Sequence, residues 1–186
     1  MINISYLLMV LFISIVWFIV RSFFSLKVQT INIKREAELL LVYLCIIVIV
    51  RFTFFPLATV DGNIPVLSQD LSGILPLRIN FVPLVHLFDY PTLREAWVNI
   101  IGNVAMFIPV GIVWPLVFRT LNTPLKAILS GTGFSLTIEM LQLPFRARVS
   151  DIDDLILNSL GFIIGYSIFV FVKKILFERI RKDYEH

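Results

Sequence analysis

The sequence predicts an all-α integral membrane protein, built as a bundle of about five transmembrane helices. Of its 186 residues, 58% are hydrophobic and only 16% are charged, whereas soluble domains carry about 25% charged residues. The mean hydropathy of +0.90 points the same way. A spanning helix needs about 20 mostly apolar residues to cross about 30 Å of hydrocarbon. The windows that meet this requirement are residues 4–20, 39–57, 97–118, 125–143 and 155–172.

The first window is predicted to be an uncleaved membrane anchor. No basic residue precedes it, Arg21 follows it, and no small-residue cleavage site is present, so the pattern is not that of a signal peptide. Residues 1–37 are therefore predicted to form an N-terminal transmembrane anchor followed by a basic cytoplasmic loop.

The uneven distribution of basic residues predicts the orientation of the bundle. In a five-helix arrangement, eleven Lys and Arg residues fall on one side and four on the other. Because cytoplasmic loops carry the excess of positive charge, we expect the N-terminus outside and the C-terminus in the cytoplasm. The eleven are Arg21, Lys27, Lys34, Arg35, Arg119, Lys126, Lys173, Lys174, Arg179, Arg181 and Lys182, and the four are Arg78, Arg94, Arg146 and Arg148.

Two segments outside the windows have a composition of their own. The connection 58–96 contains ILPLRINFVPLVHLFDYP, which is too apolar for a solvated loop and too rich in proline for a spanning helix. We expect it to lie at the membrane interface or to dip among the helices, where irregular backbone needs shielding. Residues 173–186 are predicted to continue the last helix as a basic cytoplasmic tail that faces anionic lipid.

Polar residues inside the predicted spans lie near the same ends of the helices. Ionisable groups in spanning segments are costly, and they usually mark a site or a pathway. Because adjacent helices run in opposite directions, all of these residues are predicted at one depth, around a polar pocket that opens outward. They are Arg51 in the second window, Asn99 and Asn103 in the third, Glu139 and Gln142 in the fourth, and Asn158 in the fifth.

Helical spacing arranges these residues in stripes. Residues three or four apart share a helix face, and small residues allow helices to approach closely. The stripes are therefore expected to face each other. They consist of Asn99 and Asn103 in the third helix, Gly131, Ser135, Glu139 and Gln142 in the fourth, and Asp154, Asn158, Gly161 and Gly165 in the fifth.

Purely structural roles compete with a site. Asp151 and Asp153 fit a helix N-terminus, since acids are favourable there and Ser150 with Asp153 resembles a capping box. Arg51 could pair with Glu139 as a structural ion pair. The asparagines could provide hydrogen bonds between helices.

The chemistry of the cluster favours an amphiphilic ligand with an anionic head. Arg51, Arg146 and Arg148 suit a phosphate or carboxylate through bidentate hydrogen bonds. Glu139 and Asp154 are the candidates for an acid or base, and no catalytic residue is assigned. No metal-binding spacing is present, no cofactor is predicted, and no basic patch suggests nucleic acid. Membrane lipids, a polyprenyl-linked phosphate or a lipid-linked wall precursor are the expected partners.

Four motifs resemble the VanZ-like family of bacterial membrane proteins. They are RFTFFP at 51–56, INFVPL at 79–84, NIIGNVAMFIPVG at 99–111, and EMLQLPFRARVSDIDDLILNSLGFIIGY at 139–166. The resemblance adds Asn80 to the candidate residues and implies a VanZ-like membrane domain over residues 38–172, in a multi-pass protein of the bacterial cell membrane. The motif residues that could bind are Arg51, Asn80, Asn99, Asn103, Gln142, Arg146, Arg148, Asp151, Asp153 and Asn158, beside Glu139 and Asp154.

The resemblance implies reduced susceptibility to teicoplanin and other glycopeptides that carry an acyl tail. The protein would bind or modify an envelope lipid or a wall precursor. Two alternatives remain open at this point: a membrane hydrolase or transferase of polyprenyl-linked phosphates, and a non-catalytic protein that binds the drug or precursor. A transporter is disfavoured, because the deeper halves of the helices lack polar residues for a path. The sequence makes no prediction of the oligomeric state.

Overall fold

A computed structural model describes residues 2–28, 32–55, 62–69, 79–85, 87–145 and 150–184. In these ranges the chain forms five helices and four strands of two or three residues, joined by turns and irregular segments. The helices are α1 (Tyr6–Val28), α2 (Ile33–Phe54), α3 (Leu93–Val117), α4 (Pro124–Gln142) and α5 (Ile152–Tyr184), and the strands are β1 (Ile2–Ile4), β2 (Leu67–Gln69), β3 (Ile79–Asn80) and β4 (Ser150–Asp151).

One helix corresponds to each predicted window, and four of the helices are long and apolar enough to cross a membrane. These four are α1, α2, α3 and α5, with mean hydropathies between 2.0 and 2.4. Helix α4 is not among them, because its 19 residues include Lys126, Glu139 and several Ser, Thr and Gly residues. The expectation of five spans is thus confirmed for four helices, and a membrane crossing by α4 stays a prediction.

Several helices are longer than the apolar windows that predicted them. Helix α2 begins at Ile33, where the Asn32 side chain accepts the Arg35 N–H at 3.1 Å. Helix α3 begins at Leu93, so the connection predicted to end at residue 96 ends at Thr92, whose hydroxyl accepts the Glu95 N–H at 3.2 Å. Such caps satisfy N–H groups that have no partner within the helix. The tail continues α5 as a helix to Tyr184, as expected.

The chain divides into two compact units. The first unit comprises Met1–Pro83 and Leu136–Ile152, and the second comprises Leu84–Ser135 and Asp153–His186. Helix α4 contributes residues to both units, and the beginning of α5 is where the chain passes from the first unit to the second.

In the first unit, two short strand pairs accompany α1 and α2. Strands β1 and β2 pair antiparallel, with Ile4 opposite Leu67. Strands β3 and β4 pair in parallel, which places Asn80 opposite Asp151. The side chains of Ile49, Phe55 and Leu67 are at most 2% exposed. A large part of α1 stays uncovered by protein, as expected of a helix that faces lipid.

In the second unit, α3 packs directly against α5 at glycines. An added Cβ at Gly161 would lie 2.1 Å from the Val104 carbonyl oxygen, and one at Gly165 would lie 2.1 Å from the Ile108 oxygen. An added Cβ at Gly111 of α3 would likewise lie 2.2 Å from the Phe162 carbonyl oxygen. Small residues permit this approach, so the glycines of the predicted stripe in α5 serve helix packing.

Candidate functional site

The predicted site residues are divided between the two units. Arg146 and Arg148 lie outside the described residues, and the structure describes the other ten. The first unit contains Arg51, Asn80, Glu139, Gln142 and Asp151, and the second contains Asn99, Asn103, Asp153, Asp154 and Asn158. Their grouping around one outward pocket stays a prediction.

Asn80, Glu139 and Asp151 form a connected polar group, called here the Glu139 cluster. The Glu139 side chain is 4% exposed, and its Oε2 accepts the Asp151 backbone N–H at 3.0 Å. The Asp151 Oδ1 accepts the Asn80 side-chain amide at 3.1 Å. These bonds accompany the β3–β4 pairing, so the cluster holds two irregular segments of the chain together at the end of α4.

Gln142 lies one turn beyond Glu139 on α4 and binds the end of α2. Its Nε2 donates to the Thr53 carbonyl oxygen at 2.6 Å, and its side chain is 5% exposed. The last carbonyls of a helix have no partner within the helix, and Gln142 supplies one. Its Oε1 is buried and has no hydrogen-bond partner among the described residues, which is costly for a polar atom away from water.

Arg51 lies in the last turn of α2, half-buried among aromatic rings. Its guanidinium carbon is 5.9 Å from the ring centre of Tyr6 and 5.6 Å from that of Phe52. One Nη donates to the Phe55 carbonyl oxygen at 3.3 Å. A guanidinium over aromatic faces is attracted by their π electrons, so the positive charge is kept at this end of α2.

In the second unit, Asn99, Asn103 and Asp154 form the Asn103 cluster. The Asn103 amide nitrogen is 2.5 Å from the Asp154 Oδ1 and 3.4 Å from the Asn99 Oδ1. Asn103 is 7% exposed. The bond to Asp154 joins α3 to α5, and thus confirms that the predicted stripes of these two helices face each other.

Asn158 joins α5 to the middle of α4. Its Nδ2 lies 2.9 Å from the Ser135 Oγ, and both side chains are at most 1% exposed. The Asn158 Oδ1 is buried and has no hydrogen-bond partner in the part of the chain that the structure describes. The serine hydroxyl can donate or accept. Either orientation of the Asn158 amide therefore leaves one of its two polar atoms buried and without a partner among the described residues.

Asp153 binds backbone near the start of the second unit. Its Oδ1 accepts the Leu84 N–H at 2.7 Å, and the side chain is 4% exposed. The sequence interpretation of Asp153 as a helix cap is compatible with its place in the first turn of α5. The contact with Leu84, 69 residues away, was not predicted.

Further contacts were missed by sequence reasoning. Thr132 of α4 and Ser159 of α5 lie 3.0 Å apart through their hydroxyls, and either residue alone looks like an ordinary small polar residue of a helix. The ring of Tyr6 beside Arg51 carries no signal in the sequence. The bond from Gln142 to the Thr53 carbonyl was missed as well. The only signal for it was that a carbonyl at the end of a helix has no partner within the helix.

The chemical capacity of each cluster follows from its groups. The first unit offers a buried carboxylate in Glu139 and a guanidinium in Arg51. The second offers the half-buried carboxylate of Asp154, held by a neutral amide. Among the described residues, no group of three or more His, Cys, Asp and Glu side chains is arranged to hold a metal ion.

A comparison with protein families shows to which family the chain is related. The VanZ/LLP1 family matches residues 40–173, well over half of the sequence. The chain belongs to the VanZ/LLP1 family. The resemblance inferred from the motifs is confirmed, and every candidate site residue falls within the VanZ/LLP1 region, whereas α1 lies outside it. Comparisons with curated proteins and with solved structures find no match.

Proposed function

We propose that this VanZ/LLP1 membrane protein lowers the susceptibility of a bacterial cell to teicoplanin and related lipoglycopeptides. It would do so by binding or modifying an envelope lipid or a wall precursor with polar residues that face outward. The proposal takes the chain as a multi-pass protein of the cell membrane, with five spans, the N-terminus outside and the C-terminus in the cytoplasm. This orientation is supported by the excess of Lys and Arg in the segments that it places in the cytoplasm.

Arg51 carries the proposal. An arginine near the end of an apolar helix is costly unless it has a function or a partner, and here two aromatic rings hold it within the first unit. Guanidinium groups bind phosphate and carboxylate oxygens in a bidentate geometry. The ligand class that fits is an amphiphile with an anionic head and a lipid tail.

The Glu139 cluster would position the binding region. Glu139 holds the Asp151 backbone, and Asp151 holds Asn80, so the segments β3 and β4 are fixed beside the end of α4. Gln142 fixes the end of α2, close in sequence to Arg51. A prearranged site loses less conformational entropy on binding, and these bonds would serve that purpose. Arg146 and Arg148 are proposed as additional contacts to the anionic head.

A second candidate function is a hydrolase or transferase of polyprenyl-linked phosphates. The observation that favours it is the 4% exposure of the Glu139 carboxylate, since buried carboxyl groups are frequent acids and bases in active sites. Asp154, in the other unit, is the alternative acid or base. A non-catalytic binder needs neither group to exchange a proton.

Drug susceptibility tests the proposal. Cells that express the wild-type chain should need a higher concentration of teicoplanin for growth inhibition than cells with an empty vector, and Arg51→Ala should lose most of this protection. Arg94→Ala is the matched control, because Arg94 is an exposed arginine at the start of α3. Equal inhibition of wild-type and empty-vector cells, at verified membrane levels of the protein, would contradict the proposal.

Two variants separate enzyme from binder. Glu139→Gln keeps an oxygen that can accept the Asp151 N–H but removes the ionisable group. An enzyme that uses Glu139 as acid or base should lose protection in this variant while remaining folded. A binder should retain most of its protection and lose it in Arg51→Ala, with weaker binding of labelled drug or precursor in detergent.

A further inference from the structure

Residues 81–85, called here the apolar turn, expose a continuous series of apolar side chains. Phe81 is 74% exposed, Val82 54%, Leu84 63% and Val85 59%, and Pro83 is exposed as well. The turn contains no charged residue. Exposed apolar side chains in such a series mark a surface that is covered by a partner or by lipid.

The backbone donors in the middle of the turn need no water. The Val82 N–H donates to the Asn80 Oδ1 at 3.1 Å, Pro83 has no N–H, and the Leu84 N–H donates to the Asp153 Oδ1 at 2.7 Å. Irregular backbone enters hydrocarbon only when its polar groups are satisfied by protein. From Val82 to Leu84, every backbone nitrogen meets that condition.

Leu84 has a backbone conformation that leucine rarely adopts. Its φ is +66°, in the left-handed region, which non-glycine residues avoid because of the contact between Cβ and the carbonyl oxygen. Such conformations persist where surrounding interactions enforce them, and the bond to Asp153 is one such interaction. The bond to Asp153 therefore helps to maintain the strained backbone of Leu84, while the Leu84 side chain remains exposed.

The surroundings of the turn in the second unit suit the edge of a membrane. The rings of Phe88 and Trp97 lie 6.2 Å apart, edge to face, and the two residues are 51% and 52% exposed. Tryptophan is enriched at membrane–water interfaces, where its ring is partly solvated by headgroups. Trp97 lies in the first turns of α3, which is one of the helices able to cross a membrane.

We propose that the apolar turn inserts into the hydrocarbon edge of the lipid leaflet and anchors the connection between α2 and α3. The occupant of this surface is lipid acyl chains, not a protein partner. The side chains supply the apolar contact, and Asn80 and Asp153 remove the cost of carrying unsatisfied backbone donors into lipid. This role does not depend on which ligand the first unit binds, although Asn80 takes part in both regions.

The test measures the depth of the turn in a bilayer. In full-length protein with Cys45→Ser, which removes the only native cysteine, a single cysteine replaces Phe81, Leu84 or Val85 and carries an environment-sensitive fluorophore. In vesicles, we expect blue-shifted emission and strong quenching by phosphatidylcholine brominated close to the headgroup. Thr120→Cys, in the exposed link between α3 and α4, should be quenched by aqueous iodide instead.

The three positions decide the proposal independently, so a failure of Leu84→Cys to fold leaves the other two. Iodide quenching at Phe81 and Val85 as strong as at Thr120, with no bromolipid quenching, would overturn it. Protection from both quenchers would also overturn it, since that result indicates coverage by protein.

Two substitutions of Asp153 test whether its bond to the Leu84 backbone is needed for insertion. Asp153→Ala leaves the Leu84 N–H without its acceptor, whereas Asp153→Asn retains an oxygen that can accept. Bromolipid quenching at the Val85 probe should fall in the alanine variant and persist in the asparagine variant. Unchanged quenching in Asp153→Ala would show that the N–H bond is not required, and would refute this part of the proposal.

Discussion

The buried candidate residues of α4 in the first unit and the buried asparagines of α3 and α5 in the second unit differ in what they bind. Asn103 binds the side chain of Asp154, and Asn158 binds that of Ser135. Glu139 and Gln142 instead bind backbone, at the Asp151 N–H and the Thr53 carbonyl. The asparagines fix helices to one another, whereas Glu139 and Gln142 fix helix ends and irregular segments.

This difference separates structural residues from candidate functional residues. Interhelical bonds beside close glycine contacts are sufficiently explained by packing in a membrane. Binding residues concentrate on connections held by a rigid scaffold. The first unit has such connections beside Arg51, and therefore carries the better candidate site.

The largest effect is expected where α3 and α5 touch. Gly161→Val would bring side-chain atoms into the Val104 carbonyl, and overpacking of this kind costs about 3 kcal/mol of unfolding free energy. Thermal unfolding of the purified protein in detergent measures the loss. Gly102→Ala is the control, since its added Cβ would meet nothing within 4 Å, and it should not destabilise the protein. If both variants unfold at the wild-type temperature, the close packing of the second unit is wrong.

The next effect concerns the backbone role of Glu139. Glu139→Leu leaves the part-buried Asp151 N–H without this acceptor and should cost about 2 kcal/mol. Glu139→Gln can still accept the bond and should lose less than half as much. Denaturant unfolding of both variants compares them. Equal losses would mean that the charge of Glu139, not its bond to the backbone, stabilises the first unit.

A smaller effect is expected for the pairing of Asn103 with Asp154. In a double-mutant cycle of Asn103→Leu and Asp154→Leu, the interaction energy should be about 1 kcal/mol, in the range measured for hydrogen bonds between membrane helices. Unfolding free energies of the single and double variants provide it. Strict additivity of the two substitutions would contradict the direct contact between α3 and α5.

The smallest effect concerns the hydroxyl pair of Thr132 and Ser159. These side chains are half-buried, and Thr132→Val should lower the unfolding free energy by only about 0.5 kcal/mol. Drug protection should remain at the wild-type level, because neither residue belongs to the first unit. A loss of protection in a stably folded Thr132→Val protein would place function in the second unit and reverse the comparison.

The helices were the predictable part of this fold. Long apolar windows located all five, and the small-residue spacing correctly indicated that Gly161 and Gly165 face another helix. The starts of α2 and α3 were predicted too late, since hydropathy ignores capping. Thr92 with Glu95 three residues later is a capping-box pattern that was present in the sequence, and reading it would have placed the start of α3 correctly.

The contacts of the candidate site were only partly predictable. Asn103 and Asp154 were assigned to facing stripes because helical periodicity relates them to their neighbours. Asn80 and Asp151 are 71 residues apart and meet through strands of two residues, which are too short to leave a periodic signal. The ring of Tyr6 beside Arg51 depends in the same way on tertiary structure alone.

The most direct measurement of the central claim is the binding of fluorescent teicoplanin to cells that express the protein. We predict weaker labelling of cells with the wild-type chain than of empty-vector cells, labelling restored by Arg51→Ala, and wild-type labelling in Arg94→Ala. Equal labelling of all four strains, at matched protein levels in the membrane, would contradict the claim that the protein lowers exposure to the drug.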